Sequence, residues 1–113
     1  MSTSDTTGGS DVRITALDAM EHAASRTLVR VQTDPRITGY GEAGADGPTV
    51  RAQLRLLEGD LVGADPTEIE RHFDRMTTRQ HSYRPHVATV SGVDMALWDV
   101  AGKAFERPVS ELL

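Results

Sequence analysis

Residues 91–113, SGVDMALWDVAGKAFERPVSELL, decide the fold of this 113-residue chain. With the residues just before them they predict one long helix over about 86–105, because apolar side chains recur there at helical spacing. The apolar residues of this helix are Val87, Val90, Val93, Met95, Ala96, Leu97, Trp98, Val100, Ala101 and Ala104. Since they leave only a narrow polar face, one face of a small sheet cannot cover the helix. We therefore expect Val93, Met95 and Trp98 to point away from the sheet, and a partner outside this chain to cover them.

Two shorter helices are predicted before the long one, each with its own end signals. The first begins at Pro48, which suits a first helical position, and Gly63 is placed to cap its C-terminal end. Its predicted buried residues are Val50, Leu54, Leu57 and Leu61. In the second, Asp65 is the predicted N-cap, with Pro66 in the first position and Glu68 as the capping-box acid. Its predicted buried residues are Ile69, Phe73 and Met76.

Three short strands are predicted ahead of the helices. Alternation of apolar and polar residues starts at Val12, and a second alternating segment occupies residues 27–34. Its residues on one face are Thr27, Val29, Val31 and Thr33. Pro35 supplies turn chemistry before a third strand at 37–42, whose Gly39 and Gly41 we interpret as close-packing glycines rather than a phosphate loop. The predicted fold class is α+β, a three-stranded antiparallel meander followed by three helices over residues 12–113; residues 1–11 are predicted to be a disordered tail.

The composition excludes several classes of protein. Twelve lysines and arginines against 17 acidic residues give a net charge of −5, which disfavours binding to nucleic acid or to an anionic membrane surface. The absence of cysteine removes disulfides and thiolate chemistry. No apolar run reaches the ~18 residues that a membrane helix needs, and the first residues lack the pattern of a signal peptide. We expect a single cytoplasmic domain, too short to include a barrel of roughly 200 residues or more.

Three segments carry a resemblance to a known family: residues 27–43 (TLVRVQTDPRITGYGEA), residues 63–70 (GADPTEIE) and residues 91–113. They resemble the N-terminal capping domain of the mandelate racemase/muconate lactonizing enzyme family, within the enolase superfamily. The resemblance implies that a (β/α)-barrel domain, absent from this chain, completes the enzyme. It further implies that carboxylates of that barrel hold Mg²⁺, and that its Lys or His bases remove the proton beside the substrate carboxylate. This chain itself is expected to hold no cofactor.

The resemblance also implies which residues would meet the substrate, since two loops of such a capping domain close over the barrel mouth. The loops correspond to residues 21–26 and 43–47. The candidate substrate-binding residues are Glu21, His22, Ser25 and Arg26 in the first loop, and Ala45 and Asp46 in the second. Arg26 would pair with a substrate carboxylate. At the other end of the strands, Arg36 stands where the family's hairpin usually has glycine, and we expect the turn to be re-formed around Pro35.

No catalytic group and no metal site is predicted within this chain. Lys103, the only lysine, lies four residues after Asp99, which favours a helical ion pair over a catalytic base. Asp94 on the same helix is likewise expected to pair with a cation. Glu42 is a strand-end carboxylate without an obvious partner. Four histidines match no ligand spacing, which favours surface or helix-end positions for them. They are His22, His72, His81 and His86.

Two functions remain open at this point. In the first, the chain is the capping part of a magnesium-dependent sugar-acid dehydratase or racemase, and its partners are the barrel domain and a carboxylate substrate. In the second, it is a stand-alone protein-interaction domain that retains the capping fold. It would then bind a partner protein through the apolar third helix. Without its barrel partner, the isolated chain is expected to be marginally stable or to self-associate through residues 87–105. Neither function involves nucleic acid or a membrane.

Overall fold

The structure, a computed structural model, describes residues 12–79 and 87–105. Three strands, β1 (Ile14–Ala23), β2 (Arg26–Thr33) and β3 (Thr38–Ala43), form an antiparallel sheet in the order β1-β2-β3. Three helices follow: α1 (Gly47–Leu61), α2 (Ile69–Arg79) and α3 (Val87–Phe105). The predicted α+β meander followed by three helices is confirmed, and the predicted tail at 1–11 lies outside the described residues. None of the described helices is long and apolar enough to span a bilayer.

The sheet has one buried and one polar face. On β2 the residues predicted to share a face are all buried: Thr27, Val29, Val31 and Thr33. On the opposite face the Arg30 guanidinium donates two hydrogen bonds of 2.8 Å to the Asp18 carboxylate of β1. The alternation predicted for β1 is interrupted, because an irregularity between Ile14 and Ala16 shifts the register. As a result Leu17, rather than Ala16, lies on the buried face.

The first predicted loop, residues 21–26, is a tight hairpin. β1 continues through Glu21 and His22, and β2 starts at Arg26, so that Ala24 and Ser25 form the turn. A polar segment is predicted to be a loop on the assumption that every strand residue of the sheet lies against the core. Here the paired strands project beyond the core, where residues 21–26 are all exposed. The predicted loop is therefore corrected to strand ends and a two-residue turn.

The β2–β3 turn keeps the geometry of a glycine turn although an arginine occupies it. Arg36 has a φ of 68°, in the left-handed region where a side chain costs about 1–2 kcal/mol. Thr33 closes the loop, because its N–H and its hydroxyl both donate to the Ile37 carbonyl, at 3.1 and 2.6 Å. A three-residue hairpin loop of this kind places its third residue in the left-handed region. The expectation that the turn is re-formed around Pro35 is wrong, because the closing pair fixes the loop and Arg36 carries the strain.

α1 has the ends that its sequence predicts. Asp46 is the N-cap, and its carboxylate accepts from the Thr49 N–H at 3.1 Å and from the Thr49 hydroxyl at 2.8 Å. At the other end Gly63 has a φ of 91°, as expected for a capping glycine. Its N–H donates to the Ile14 carbonyl at 2.8 Å, so the cap also ties α1 to the start of β1. All four residues of the predicted stripe are buried: Val50, Leu54, Leu57 and Leu61.

α2 begins later than predicted and buries a different stripe. The Asp65 carboxylate accepts from the N–H and the hydroxyl of Thr67, which makes a turn before the helix instead of its N-cap. The buried residues of the predicted stripe are Ile69 and Met76. Phe73, predicted to be the third, is 46% exposed, and His72 is buried in its place. The surface position predicted for His72 is wrong: its Nε2 donates a 2.7 Å hydrogen bond to the Asp65 carbonyl, and its Nδ1 is buried without a hydrogen-bond partner among the described residues.

α3 lies directly on β3 because glycines remove side chains from the contact. A Cβ added to Gly39 would lie 2.2 Å from the Ala96 carbonyl oxygen, and one added to Gly41 would lie 2.0 Å from the Gly92 carbonyl oxygen. A Cβ on Gly92 would lie 3.0 Å from a methyl group of Val29. Protein interiors are packed so densely that the two shorter distances require the helix to move. The interpretation of Gly39 and Gly41 as close-packing glycines is confirmed.

The outward face of α3 is apolar, as its composition predicts. Met95 is 51% exposed and Trp98 is 60% exposed. Val93 was expected beside them but is fully buried, because α3 packs against α1 and α2 as well as against the sheet and so has a wide buried arc. Val87, the first residue of the helix, is exposed rather than part of the inner stripe. A buried hydrogen bond from the Thr89 hydroxyl to the side-chain oxygen of Gln53 links α3 to α1.

The free edge of β3 is covered by the predicted ion pair of α3. Lys103 Nζ lies 3.0 Å from Asp99 Oδ2, which confirms the pair. The same Asp99 oxygen accepts from the Tyr40 N–H at 2.9 Å, and Lys103 donates to the Thr38 carbonyl at 2.6 Å. Both partners therefore bind backbone groups that the sheet leaves unpaired. An edge covered in this way is protected from pairing with another strand.

Candidate functional site

Both segments expected to meet a substrate lie at one end of the sheet. In the antiparallel pairing Thr27, near the start of β2, is opposite Ala43 at the end of β3. This places the β1–β2 turn beside the connection from β3 to α1. The Thr27 hydroxyl donates a 2.7 Å hydrogen bond to the Ala45 carbonyl and joins the two segments. We call residues 21–26 and 42–47 together the hairpin end.

The hairpin end brings an arginine and a histidine to one carboxylate. Glu42 Oε1 lies 3.6 Å from a guanidinium nitrogen of Arg26, and Glu42 Oε2 lies 4.0 Å from His22 Nε2. Arg26 and His22 are exposed and Glu42 is half-buried, so all three are accessible to a ligand. A guanidinium has five N–H donors, and one long contact to Glu42 leaves most of them for a second carboxylate. The Arg26 guanidinium therefore keeps donors for a further carboxylate beside the one that Glu42 supplies.

Glu42 is the site residue that sequence reasoning missed. It was expected to have no partner, whereas the structure gives it two. The signal is the strand register: Leu28 is opposite Glu42 across the sheet, so Arg26, two residues earlier, is a diagonal neighbour of Glu42. Diagonal neighbours are within reach of long side chains. If residues 21–26 are predicted to be a loop, Arg26 is not counted as part of β2, and its position diagonal to Glu42 is not recognised.

Glu21 belongs to the opposite side of the hairpin end, against α1. Its Oε2 lies 3.8 Å from a guanidinium nitrogen of Arg51 on α1. A Cβ added to Gly47 would lie 2.4 Å from the Glu21 side chain, so these two residues pack closely. Successive side chains of a strand point to opposite faces, which separates Glu21 from His22. Glu21 therefore fixes the hairpin against α1 and is not part of the exposed cluster.

In the second segment, residues 43–47, the polar groups of Ala45 and Asp46 form hydrogen bonds within the domain. The Ala45 carbonyl accepts from Thr27, and the Asp46 carboxylate caps α1. The hydrogen bond from the Thr49 hydroxyl, with a second one from the Thr49 N–H, lowers the pKa of Asp46. Ser25 lies exposed in the β1–β2 turn. Of the six predicted residues, His22, Ser25 and Arg26 are thus the ones whose side chains remain open to a ligand.

Residues 12–79 and 87–105 contain no group of three metal-ligating side chains placed to hold a metal ion. His72 is enclosed and bonded to the Asp65 carbonyl. Lys103 is engaged by Asp99 and by the edge of β3.

Comparison with known families and proteins places this geometry in context. Residues 11–113 match the family described as mandelate racemase / muconate lactonizing enzyme, N-terminal domain. A D-galactonate dehydratase of Xanthomonas campestris pv. campestris (strain B100) is 42% identical over 98 residues, which are 81% of this chain and 25% of that protein. A D-galactonate dehydratase of Variovorax paradoxus (strain S110) is 35% identical over 107 residues, 90% of this chain and 28% of that protein.

Solved structures share the fold. A member of the enolase superfamily from Salmonella Typhimurium superposes with a TM-score of 0.71 at 27% identity, covering 89% of this chain and 29% of that one. A member of the enolase superfamily from Roseovarius nubinhibens ISM, complexed with magnesium, superposes with a TM-score of 0.66 at 29% identity, covering 90% and 33%. The chain therefore spans about a quarter to a third of the length of the proteins that it matches.

Proposed function

Because the chain belongs to the mandelate racemase/muconate lactonizing enzyme family, as an N-terminal domain, we propose that it is the capping and substrate-specificity domain of a sugar-acid dehydratase. The observation that carries the proposal is the exposed side-chain cluster of the hairpin end, where Arg26 and His22 lie at Glu42. A sugar acid offers a carboxylate to the guanidinium and hydroxyl groups to the other side chains. Relatives named D-galactonate dehydratase act on that chemical class.

In this proposal, proton abstraction beside the substrate carboxylate belongs to a second, barrel-shaped domain. The chain spans 25–28% of the dehydratase relatives, and the remainder of those proteins is long enough for such a barrel. A racemase would use the same first step, and the names of the relatives favour dehydration. The capping domain contributes binding and orientation, which raise the rate by holding the substrate in a reactive position.

Mg²⁺ is proposed for the complete enzyme and not for this domain. The Roseovarius nubinhibens relative is complexed with magnesium. The residues described here do not fit such a site, since Mg²⁺ binds carboxylate oxygens that converge on it. The Glu42 carboxylate lies beside the Arg26 guanidinium, which repels a divalent cation, and the Asp46 carboxylate is bonded to Thr49. The metal would be held by the barrel.

Within the hairpin end, we assign substrate contact to Arg26, His22 and Ser25. Arg26 would bind the substrate carboxylate, and His22 and Ser25 would bind hydroxyl groups. Glu21, Ala45 and Asp46 would shape the site without touching the substrate, because their polar groups are engaged by Arg51, Thr27 and Thr49.

A chimera tests the assignment. Residues 12–113 replace the matching N-terminal part of the Xanthomonas campestris relative, and dehydration of D-galactonate is measured with Mg²⁺. Arg26→Ala should raise KM at least tenfold and lower kcat less, since a hydrogen bond to a charged group is worth about 1.5–3 kcal/mol. The matched control is Arg75→Ala, which removes an exposed arginine from α2. An equal KM for the two variants would contradict the assignment.

A stand-alone interaction domain is the second candidate function. The exposed Met95 and Trp98 on α3 favour it, because large apolar side chains on a surface mark interaction sites. Sedimentation of the isolated chain separates the two candidates. A stable self-associated species that buries Trp98, together with an inactive chimera, would favour the interaction domain.

A further inference from the structure

A groove of about 520 Å³ runs between α2 and α3. Its lining residues are Ile69, Glu70, Phe73, Asp74, Asp94 and Trp98. Asp94 and Trp98 are four residues apart on α3, as are Glu70 and Asp74 on α2, so each pair lies on one helix face. The groove therefore combines two aromatic side chains with three carboxylates.

The aromatic part of the groove is open. Phe73 is 46% exposed and Trp98 is 60% exposed, whereas Leu97 on the inner face of α3 is fully buried. The exposed Met95 extends the same apolar surface along α3. An aromatic face that stays in water while carboxylates surround it offers a cation two kinds of contact at once.

The carboxylates of the groove lack cations of their own. Among the described residues no lysine, arginine or histidine forms an ion pair with Asp94, Glu70 or Asp74, although Asp99 on the same helix is paired with Lys103. The pairing predicted for Asp94 is therefore not found within the described residues. Burial raises the pKa of Asp94, which is the sign of a carboxylate that is partly desolvated without compensation.

A second copy of this chain does not satisfy these charges. A two-fold dimer through this groove would place the same patch against itself, which brings the carboxylates of the two copies into one interface. Like charges facing each other across an interface oppose association, and the chain carries a net charge of −5. The complementary occupant is a basic surface.

We propose that the α2–α3 groove docks an arginine-bearing surface of the catalytic domain, with a guanidinium stacked on Trp98 and Phe73 and bonded to Asp94. This inference rests on the proposed function, because it takes the catalytic domain as the source of the arginine. Arginine fits better than lysine, since its planar guanidinium stacks on an aromatic ring and binds a carboxylate through two parallel donors. The groove then holds the capping domain in place while the hairpin end meets the substrate.

The direction in which Asp94→Asn changes Tm tests the docking, because it should differ between the isolated chain and the chimera. In the isolated chain Asp94→Asn should raise Tm, because it removes a desolvated charge without a partner. In the chimera with the Xanthomonas campestris relative the same substitution should lower Tm, because it removes the carboxylate that binds the arginine. Glu58→Gln, on the exposed part of α1, is the matched control and should leave Tm unchanged in both proteins. A change of the same sign in both proteins would overturn the proposal.

Two readouts separate the possible failures. An active chimera in which Asp94→Asn raises Tm would refute the docking of an arginine in the groove and leave the proposed function standing. An inactive chimera in which Asp94→Asn still lowers Tm would support the docking and count against the proposed function. Trp98, the only tryptophan of the chain, reports on a competing occupant. A concentration-dependent dimer with blue-shifted Trp98 emission, which no longer forms in sedimentation experiments on Trp98→Ala, would assign the groove to a second copy. That result would overturn the proposal that an arginine of the catalytic domain occupies the groove.

Discussion

Gly41→Ala should be one of the most destabilising single substitutions in this domain. The added Cβ would lie 2.0 Å from the Gly92 carbonyl oxygen and 2.9 Å from the Ala96 backbone nitrogen. The shorter distance is well over 1 Å less than ordinary contact, and both atoms belong to the backbone of α3, which cannot turn aside as a side chain can. The helix must therefore move away from β3 or the strand must bend.

The expected cost follows from the packing that α3 would lose. Overpacking by extra methylene groups costs typically 1–3 kcal/mol, and here the displaced element carries Val93, Leu97 and Val100, all fully buried. We expect a loss of about 3 kcal/mol in the free energy of unfolding. For a domain of this size that corresponds to a fall in Tm on the order of 15 °C.

Urea denaturation followed by circular dichroism measures this cost. Gly44→Ala is the matched control, because it adds the same methyl group one residue beyond β3, where nothing lies within 4 Å. The control should stay within about 0.5 kcal/mol of the unsubstituted chain. Equal stability of the two variants would refute the conclusion that glycines set the distance between α3 and the sheet.

Two substitutions and one metal titration supply the other predictions. Arg36→Gly should raise the free energy of unfolding by about 1 kcal/mol in urea denaturation, because glycine adopts a φ of 68° without strain; Arg36→Ala keeps the strain and should not. Asp46→Ala should lower Tm at neutral pH by removing the cap of α1. Because hydrogen bonds lower the pKa of Asp46 in the folded state, its contribution is present above the ordinary carboxylate pKa and is lost as the pH falls through the lowered value. The difference in Tm between Asp46→Ala and the unsubstituted chain should therefore shrink below a pH of about 4; a constant difference from pH 7 to pH 3 would contradict the cap. Calorimetric titration of the isolated chain with Mg²⁺ should reveal no tight site, and a dissociation constant at or below roughly 10⁻⁵ M would contradict this.

The elements with a strong period, and both ends of α1, were predictable from the sequence. The alternation of β2 and the stripe of α1 predict the residues that are buried in the structure, and the glycines of β3 predict close packing. These features succeed because local pattern and tertiary packing agree. The pairing of Lys103 with Asp99 belongs to the same class, since helical spacing alone brings the two side chains together.

The features that the sequence could not reveal depend on particular hydrogen bonds that the pattern of residue types does not indicate. Phe73 has the more apolar side chain, yet His72 is buried and its Nε2 donates a hydrogen bond to the Asp65 carbonyl. Arg36 keeps a strained φ because the Thr33–Ile37 closing pair fixes the loop. In both cases a specific hydrogen bond accompanies a conformation or burial that the preference of the residue type does not favour.

The location of the candidate site rests on the resemblance and stays a prediction. The resemblance placed six residues in two loops, and the structure brings the two segments together through the bond from Thr27 to Ala45. Which side chains remain open depends on the strand pairing, because the face of each residue follows from the register. Treating residues 21–26 as a loop removed that information, and Glu42 was missed for the same reason.

Restoration of dehydratase activity is the most direct test of whether this chain is a capping domain. The Xanthomonas campestris relative is prepared without its matching N-terminal part, and also as the chimera in which residues 12–113 replace that part. Both are assayed for dehydration of D-galactonate and a panel of other sugar acids with Mg²⁺. We predict that the truncated relative is inactive and that the chimera dehydrates at least one sugar acid. A chimera that folds cooperatively yet turns over none of them would contradict the assignment.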